Sequence, residues 1–192
     1  MTKQVTIVGV GALGSHLLQF IRNEDVKIKV VDFDRVERKN TMSQFHGVKT
    51  VGKSKVQSVQ QGMKFMFGTN IDVVPHKLVN ENINAVLKDA DLIIDCLDNF
   101  EARNLVKNYA EVEDIPCVHG ALAPNGEYGQ VMWNESFTID SEAGTDGATC
   151  EDGEHLAFIA LVSAYLARSV HEFLVNDRKL GFQINPVGAI RV

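Results

Sequence analysis

The chain has 192 residues, 45% hydrophobic and 23% charged, a composition that supplies a full core and excludes a disordered or fibrous protein. Nineteen basic against 25 acidic side chains leave a net charge of −6, so no overall basic field exists to collect nucleic acid or an anionic membrane, and an anionic ligand must be held locally. With no signal-peptide pattern and no uninterrupted apolar run of about 18 residues, the sequence predicts a cytoplasmic protein without a membrane span.

In chain order, a strand at Val5–Val8 precedes a helix from about Ala12 to Asn23 and a strand at Ile28–Val31. A helix from about Lys53 to Phe67 leads to a strand at Ile71–Val74, a weaker helix near Asn82 to Leu87 and a strand at Leu92–Ile94. A helix from Phe100 to Glu113 and a strand at Cys117–His119 complete the alternation. This pattern predicts an α/β fold, a Rossmann-like, doubly wound, mostly parallel sheet covered by helices. After residue 120 the turn signal Asn125-Gly126 and the run Glu127 to Trp133 predict antiparallel strands added at one edge. Asn134 to Gly153 shows little periodicity and predicts a long mobile loop, with Cys150 in its GTDGATCEDGE stretch. The last helix, His155 to Val175, is predicted to turn Leu156, Ile159, Ala160, Ala164, Ala167, Val170 and Leu174 to the core or a dimer partner. No repeat or linker divides the chain, so residues 1–192 are expected to form a single domain.

The sharpest local feature is Gly9-Val10-Gly11-Ala12-Leu13-Gly14, between the strand VTIV and an amphipathic helix. The first two glycines permit a tight turn and close approach of phosphate or sugar to the backbone, and the third lets helix and strand pack. The helix N-terminus adds unpaired N–H groups and the positive end of a dipole. Asp32 ends the next strand, where a carboxylate can accept hydrogen bonds from ribose hydroxyls. These features leave a nicotinamide cofactor and ATP both open.

The segments after Asp32 are more specific. DFDRVERKNTMSQF, then GKSKV, then DCLDNFEARN follow the order and spacing of D-x-D-x-V-x-x-x-N-L-x-R-Q, G-x-x-K and D-x-x-D-N-x-x-x-R. From residue 5 to about 133 the chain thereby resembles the ThiF/MoeB/HesA family, bacterial relatives of ubiquitin-activating enzymes. The resemblance implies ATP- and Mg²⁺-dependent adenylation of the C-terminal glycine carboxylate of a small ubiquitin-like or sulfur-carrier protein ending in Gly-Gly, by a homodimer. It assigns nucleotide binding to Gly9, Gly11, Ala12, Leu13, Gly14, Asp32, Asp34, Asn40, Gln44, Lys55, Asp98 and Asn99.

Attack of a carboxylate on the α-phosphorus brings two anions together, so cations must offset charge on the phosphates. Lys55, at a helix start after Gly52, matches the family lysine and is the candidate for that role; its alternative is a solvated surface lysine. Asp98, just beyond LIID, matches the metal-associated aspartate and is the candidate Mg²⁺ ligand, with a helix N-cap as its alternative. Asn99 can take that cap instead, and Asp95 is expected to be structural. Arg103 matches a family arginine, either a phosphate ligand or a partner of Asp98.

Two departures stand out. Ser43 occupies the family arginine position, after Thr41 in the leucine position, and the few residues before the first predicted strand lead to the expectation that the arginine-bearing segment relatives place there has no counterpart. Nearby Arg35, Arg38, Lys39 and Lys49 carry no spacing that marks a replacement. Cys150 is the candidate nucleophile for a later thioester or persulfide step, although Glu151, Asp152 and Glu154 beside it raise a thiol pKa. Cys96 and Cys117 are expected in the core, and without C-x-x-C pairs no zinc is expected. His119 is expected as a hydrogen-bonded loop residue near the ligand edge and Trp133 as a packing residue. Two alternatives remain, a non-catalytic nucleotide- or partner-binding subunit of the same superfamily and an NAD-dependent oxidoreductase.

Overall fold

The computed structural model describes residues 2–123, 125–139 and 153–192. Its centre is an eight-stranded mixed sheet. The first strand, β1 (Lys3–Val8), carries Val5, Thr6, Ile7 and Val8, all buried, because helices cover both faces of the sheet. It pairs in parallel with β2 (Val26–Val31) on one side and β4 (Leu92–Asp95) on the other. Beyond these lie β3 (Asp72–Val74), parallel to β2, and β5 (Cys117–Leu122), parallel to β4. The strand order β3-β2-β1-β4-β5 reverses direction between β1 and β4, and in such sheets ligands bind at the carboxyl ends of strands where the order reverses.

Alternation along the strands divides the core in two. One cluster joins Val5, Ile7, Leu92 and Ile94 to α1 (Ala12–Phe20), α3 (Lys55–Phe67) and α6 (Leu156–Asn176). The other joins Val8 and Ile93 to α4 (Ile83–Leu87) and α5 (Phe100–Val112) on the opposite face. Between β2 and α3 the chain forms a single-turn α2 (Asn40–Ser43) and a 3-10 turn at Val48–Thr50, both absent from the predicted elements.

The antiparallel edge is larger than the sequence pattern predicts. After β6 (Gly129–Trp133), which pairs with β5, the C-terminal segment adds β7 (Phe182–Asn185) and β8 (Gly188–Arg191). Asn185 Oδ1 accepts from the N–H groups of Val187 and Gly188, which closes the Asn-Pro-Val-Gly turn between them. Helix α6 also differs in its buried face, which runs through Phe158, Ile159, Val162, Leu166, Val170 and Phe173, while Ala164 is exposed. It packs on α1 and the sheet, so its length and apolar composition, sufficient to cross a membrane, serve the core here. Trp133 is buried, its indole N–H donating to the Leu180 carbonyl at 3.2 Å. Phe137, within the segment predicted as a mobile loop, is also buried.

Candidate functional site

The glycine loop leaves β1 at the point where the strand order reverses. Gly9 has φ of +91°, and a Cβ there would lie 2.8 Å from the Cys96 carbonyl oxygen. A Cβ on Gly14 would lie 1.9 Å from the Gly9 carbonyl oxygen, so loop and helix touch through glycine alone. Gly11 differs, since a Cβ there would meet only Gln44 Nε2, at 3.9 Å; the space in front of it is open. Gly11 caps α1 without a side-chain hydrogen bond, and the first helical N–H with an internal partner is that of Ser15. The N–H groups of Ala12, Leu13 and Gly14 are thus the donors an anion would use. The Leu13 side chain is in the core.

In front of the loop lies a cleft of about 430 Å³ whose wall includes Gly9, Gly11, Asp32, Asp34, Lys55, Asp98 and Asn99. Phe33, Leu78, Leu97 and Phe100 give it apolar patches. Ligand pockets run from about 300 to 1,000 Å³, so a nucleotide fits this space. The cleft brings together predicted residues from four sequence segments. Ala12, Leu13, Gly14, Asn40, Gln44 and Arg103 are not on its wall.

Asp32 ties β2 to the glycine loop. Its Oδ2 accepts from Val10 N–H and its Oδ1 from Asp34 N–H, both at 2.9 Å. Burial raises the Asp32 carboxyl above the usual range, opposed by Lys55 and those two N–H groups. Segments 34–36 and 52–55 run side by side through a bridge between Arg35 and Ser54 and a bond from Lys55 N–H to the Asp34 carbonyl at 2.9 Å. This sets Lys55 Nζ 2.9 Å from Asp34 Oδ2. The Lys55 side chain is 10% exposed but that of Asp34 is 47% exposed, so water reaches the pair from the carboxylate side and an arriving anion can compete for Lys55.

Asp98 is exposed at the cleft rim, and among the described residues its carboxylate has no hydrogen-bond or ion-pair partner. The cap of α5 is Asn99, whose Oδ1 accepts from Ala102 N–H at 2.9 Å. Arg103 corrects the reading that pairs it with Asp98, and it is not among the residues on the cleft wall. Its Nη1 lies 3.2 Å from Asp95 Oδ2, and its Nη2 donates to the Gly120 carbonyl at 2.6 Å. Burial would raise the Asp95 carboxyl, but Arg103 and His119 hold it below the usual range. Both partners are buried, and removing one member of such a pair costs about 3–5 kcal/mol.

Asn40 is buried with Oδ1 accepting from Glu37 N–H at 2.8 Å, a bond that shapes its own turn. Gln44 points Nε2 toward Gly11, and its Oε1 is buried without a partner among the described residues. Ser43 is buried, and its carbonyl accepts from His16 Nε2 at 3.0 Å. His46, unnoticed in the sequence, is buried behind the glycine loop with Nε2 donating to the Val10 carbonyl at 3.0 Å. Burial lowers its pKa to about 4.

Cys150 lies outside the described residues. Cys117, His119 and Asp95 have the connectivity of a nucleophilic triad, with Sγ 3.5 Å from His119 Nε2 and Nδ1 2.7 Å from Asp95 Oδ2. All three are buried, and burial pushes the Cys117 thiol well up, so the trio has neither thiolate nor access. Burial also raises the Cys96 thiol. His119 is a strand residue in β5, not a loop residue.

A family model described as ThiF family matches residues 1–179. The SAMP-activating enzyme E1 of Haloferax volcanii is 34% identical over 128 residues, 64% of this chain and 46% of its own length. The sulfur carrier protein ThiS adenylyltransferase of Bacillus subtilis is 32% identical over 131 residues, 66% of this chain and 38% of its own. The molybdopterin-synthase adenylyltransferase of Escherichia coli is 33% identical over 129 residues, 62% and 49% respectively. The matches thus span less than half the length of these curated relatives. Among solved structures, Escherichia coli MccB with ATP superposes with a TM-score of 0.78 over 99% of this chain and 63% of that one, at 14% identity, a likeness of fold.

Proposed function

The chain belongs to the ThiF family, and from that premise we propose that it adenylates the C-terminal glycine carboxylate of a small ubiquitin-like or sulfur-carrier protein with ATP. The observation that carries this reading is the cleft at the strand reversal, where the glycine loop, Asp32, Lys55 and Asp98 share one wall. The names of three similar proteins, a SAMP-activating enzyme, a molybdopterin-synthase adenylyltransferase and a ThiS adenylyltransferase, support the same chemistry.

In this reading a carboxylate oxygen attacks the α-phosphorus, the bond from that phosphorus to the bridging oxygen breaks, and pyrophosphate leaves. The N–H groups of Ala12, Leu13 and Gly14 receive phosphate oxygens, and Asp32 accepts from the ribose. Lys55 leaves Asp34 to offset phosphate charge, a switch that its half-exposed partner makes inexpensive. Asp98 suits Mg²⁺, a hard cation that takes one or two carboxylates beside phosphate and water, and the ion supplies further charge neutralisation at the phosphates. Gln44, with its unpartnered Oε1, faces the same loop. Residues 1–192 act as one adenylation domain, and the homodimer and cytoplasmic setting belong to this reading through the family likeness.

Calorimetry with ATP·Mg²⁺ and with NAD tests the reading. ATP is expected to bind preferentially, and Lys55→Ala to weaken it at least about tenfold without loss of fold. Preferential NAD binding overturns it. A second reading, a nucleotide-binding subunit without catalysis, is favoured by Ser43, which brings no guanidinium to the position where the family has one.

A further inference from the structure

Behind the cleft wall lies a polar cluster that does not line the cleft. Asp95 ends β4 with its carboxylate fully buried. Its Oδ1 accepts the Leu97 N–H at 2.9 Å and so bends the chain into the turn that carries Asp98. Its Oδ2 meets His119 Nδ1 as well as Arg103. The other imidazole nitrogen of His119 reaches Asn134 Oδ1 at 2.8 Å. Phe137 lies flat on the His119 ring, with centroids 4.1 Å apart and planes 7° apart, and the Arg103 guanidinium is 5.4 Å from the Phe137 centroid.

We propose that Arg103 and His119 are positioning residues that act through Asp95, fixing the turn from Cys96 to Asn99 so that Asp98 stands at the cleft rim while neither residue touches nucleotide. The contrast with Lys55 carries the inference. Lys55 pairs with a half-exposed carboxylate and can exchange it for phosphate, whereas Arg103 cannot leave Asp95 without stranding a buried charge. Its second anchor, the Gly120 carbonyl, ties α5 to β5, and the flat contact with Phe137 closes the cluster from the other side. What Asp98 then holds rests on the nucleotide reading above; the fixing of the turn does not.

Amide hydrogen exchange by NMR on the nucleotide-free protein separates the two. In Arg103→Lys, which keeps charge but loses the fork, and in His119→Leu, the Leu97 and Asp98 amides are expected to exchange about tenfold faster while β1 amides keep their protection. In both variants ATP affinity without Mg²⁺ should match the unaltered chain, and the Mg²⁺ concentration that half-saturates the ATP complex should rise about tenfold. Unchanged exchange at Leu97 and Asp98 in both variants overturns the proposal. So does weaker Mg²⁺-free ATP binding in Arg103→Lys alone, the mark of a direct phosphate ligand. Should a variant fail to fold, His119→Gln, which retains an N–H for Asp95, decides by the same amide exchange. If the unaltered chain binds no ATP, the nucleotide reading fails and amide exchange still decides the positioning role.

Discussion

His46 shows how a single side chain serves the site without lining it. Its Nε2–H holds the Val10 carbonyl, and its Nδ1 lies 3.2 Å from Ser58 Oγ on α3, so one neutral ring joins the glycine loop to the helix that bears Lys55. The folded pKa of about 4 lies below the ordinary value of 6.5, so the unfolded chain binds the proton more readily. The stability this contributes is fully present above pH 6.5 and is lost as pH falls toward 4. Urea unfolding at pH 7.5 and pH 5 should show a loss of about 2 kcal/mol that His46→Gln largely removes. An equal pH dependence in the variant contradicts this role. The residues a motif places by spacing, Gly9, Asp32, Lys55 and Asp98, were legible because each stands at a strand end or helix start that the pattern also predicts. Arg103 was not, because spacing does not say which of two aspartates three residues apart an arginine meets. Asp95 is the last inward residue of β4 and Asp98 lies beyond the strand.

At the scale of elements, parallel strands and long helices were legible from periodicity, and the misses have physical causes. The face predicted for α6 turned Ala160, Ala164 and Ala167 to the core or a dimer partner; Ala167 does pack against the core, but Ala164 is exposed, because alanine sits equally well in solvent and the larger Phe158, Val162, Leu166 and Phe173 set the buried side. Leu166 is fully buried, and its Cδ2 lies where a Cβ on Gly120 would come within 2.9 Å. Leu166→Ala should therefore destabilise the protein by about 3 kcal/mol, while Ala164→Gln should change stability by less than about 0.5 kcal/mol. Chemical denaturation of the two variants checks the assignment, and a larger loss in Ala164→Gln would reverse it. Strands β7 and β8, four residues each, were not anticipated, because Gln183 and Asn185 make FQIN half polar, and the Asn-Pro-Val-Gly turn that joins the two strands went unread. Phe137 was hidden in a polar, aperiodic stretch, and its burial follows from the His119 ring that it covers.

For the whole molecule, a net charge of −6 requires that a triphosphate be held by focused groups and not by a general field. The fold meets that requirement by placing Gly11, the cap of α1, and Lys55 on the wall of one cleft and Asp98 on its rim. It withholds Arg103, whose charge is committed to Asp95, and Ser43 contributes no cation. The proposed function requires that this reduced set of charges still support transfer of adenylate to a carrier carboxylate. Exchange of labelled pyrophosphate into ATP, measured with a small carrier protein ending in Gly-Gly, tests it most directly. Exchange that requires the carrier and vanishes in Asp98→Asn is the predicted result; exchange that persists in Asp98→Asn, or ATP binding with no exchange for any such carrier, would contradict it.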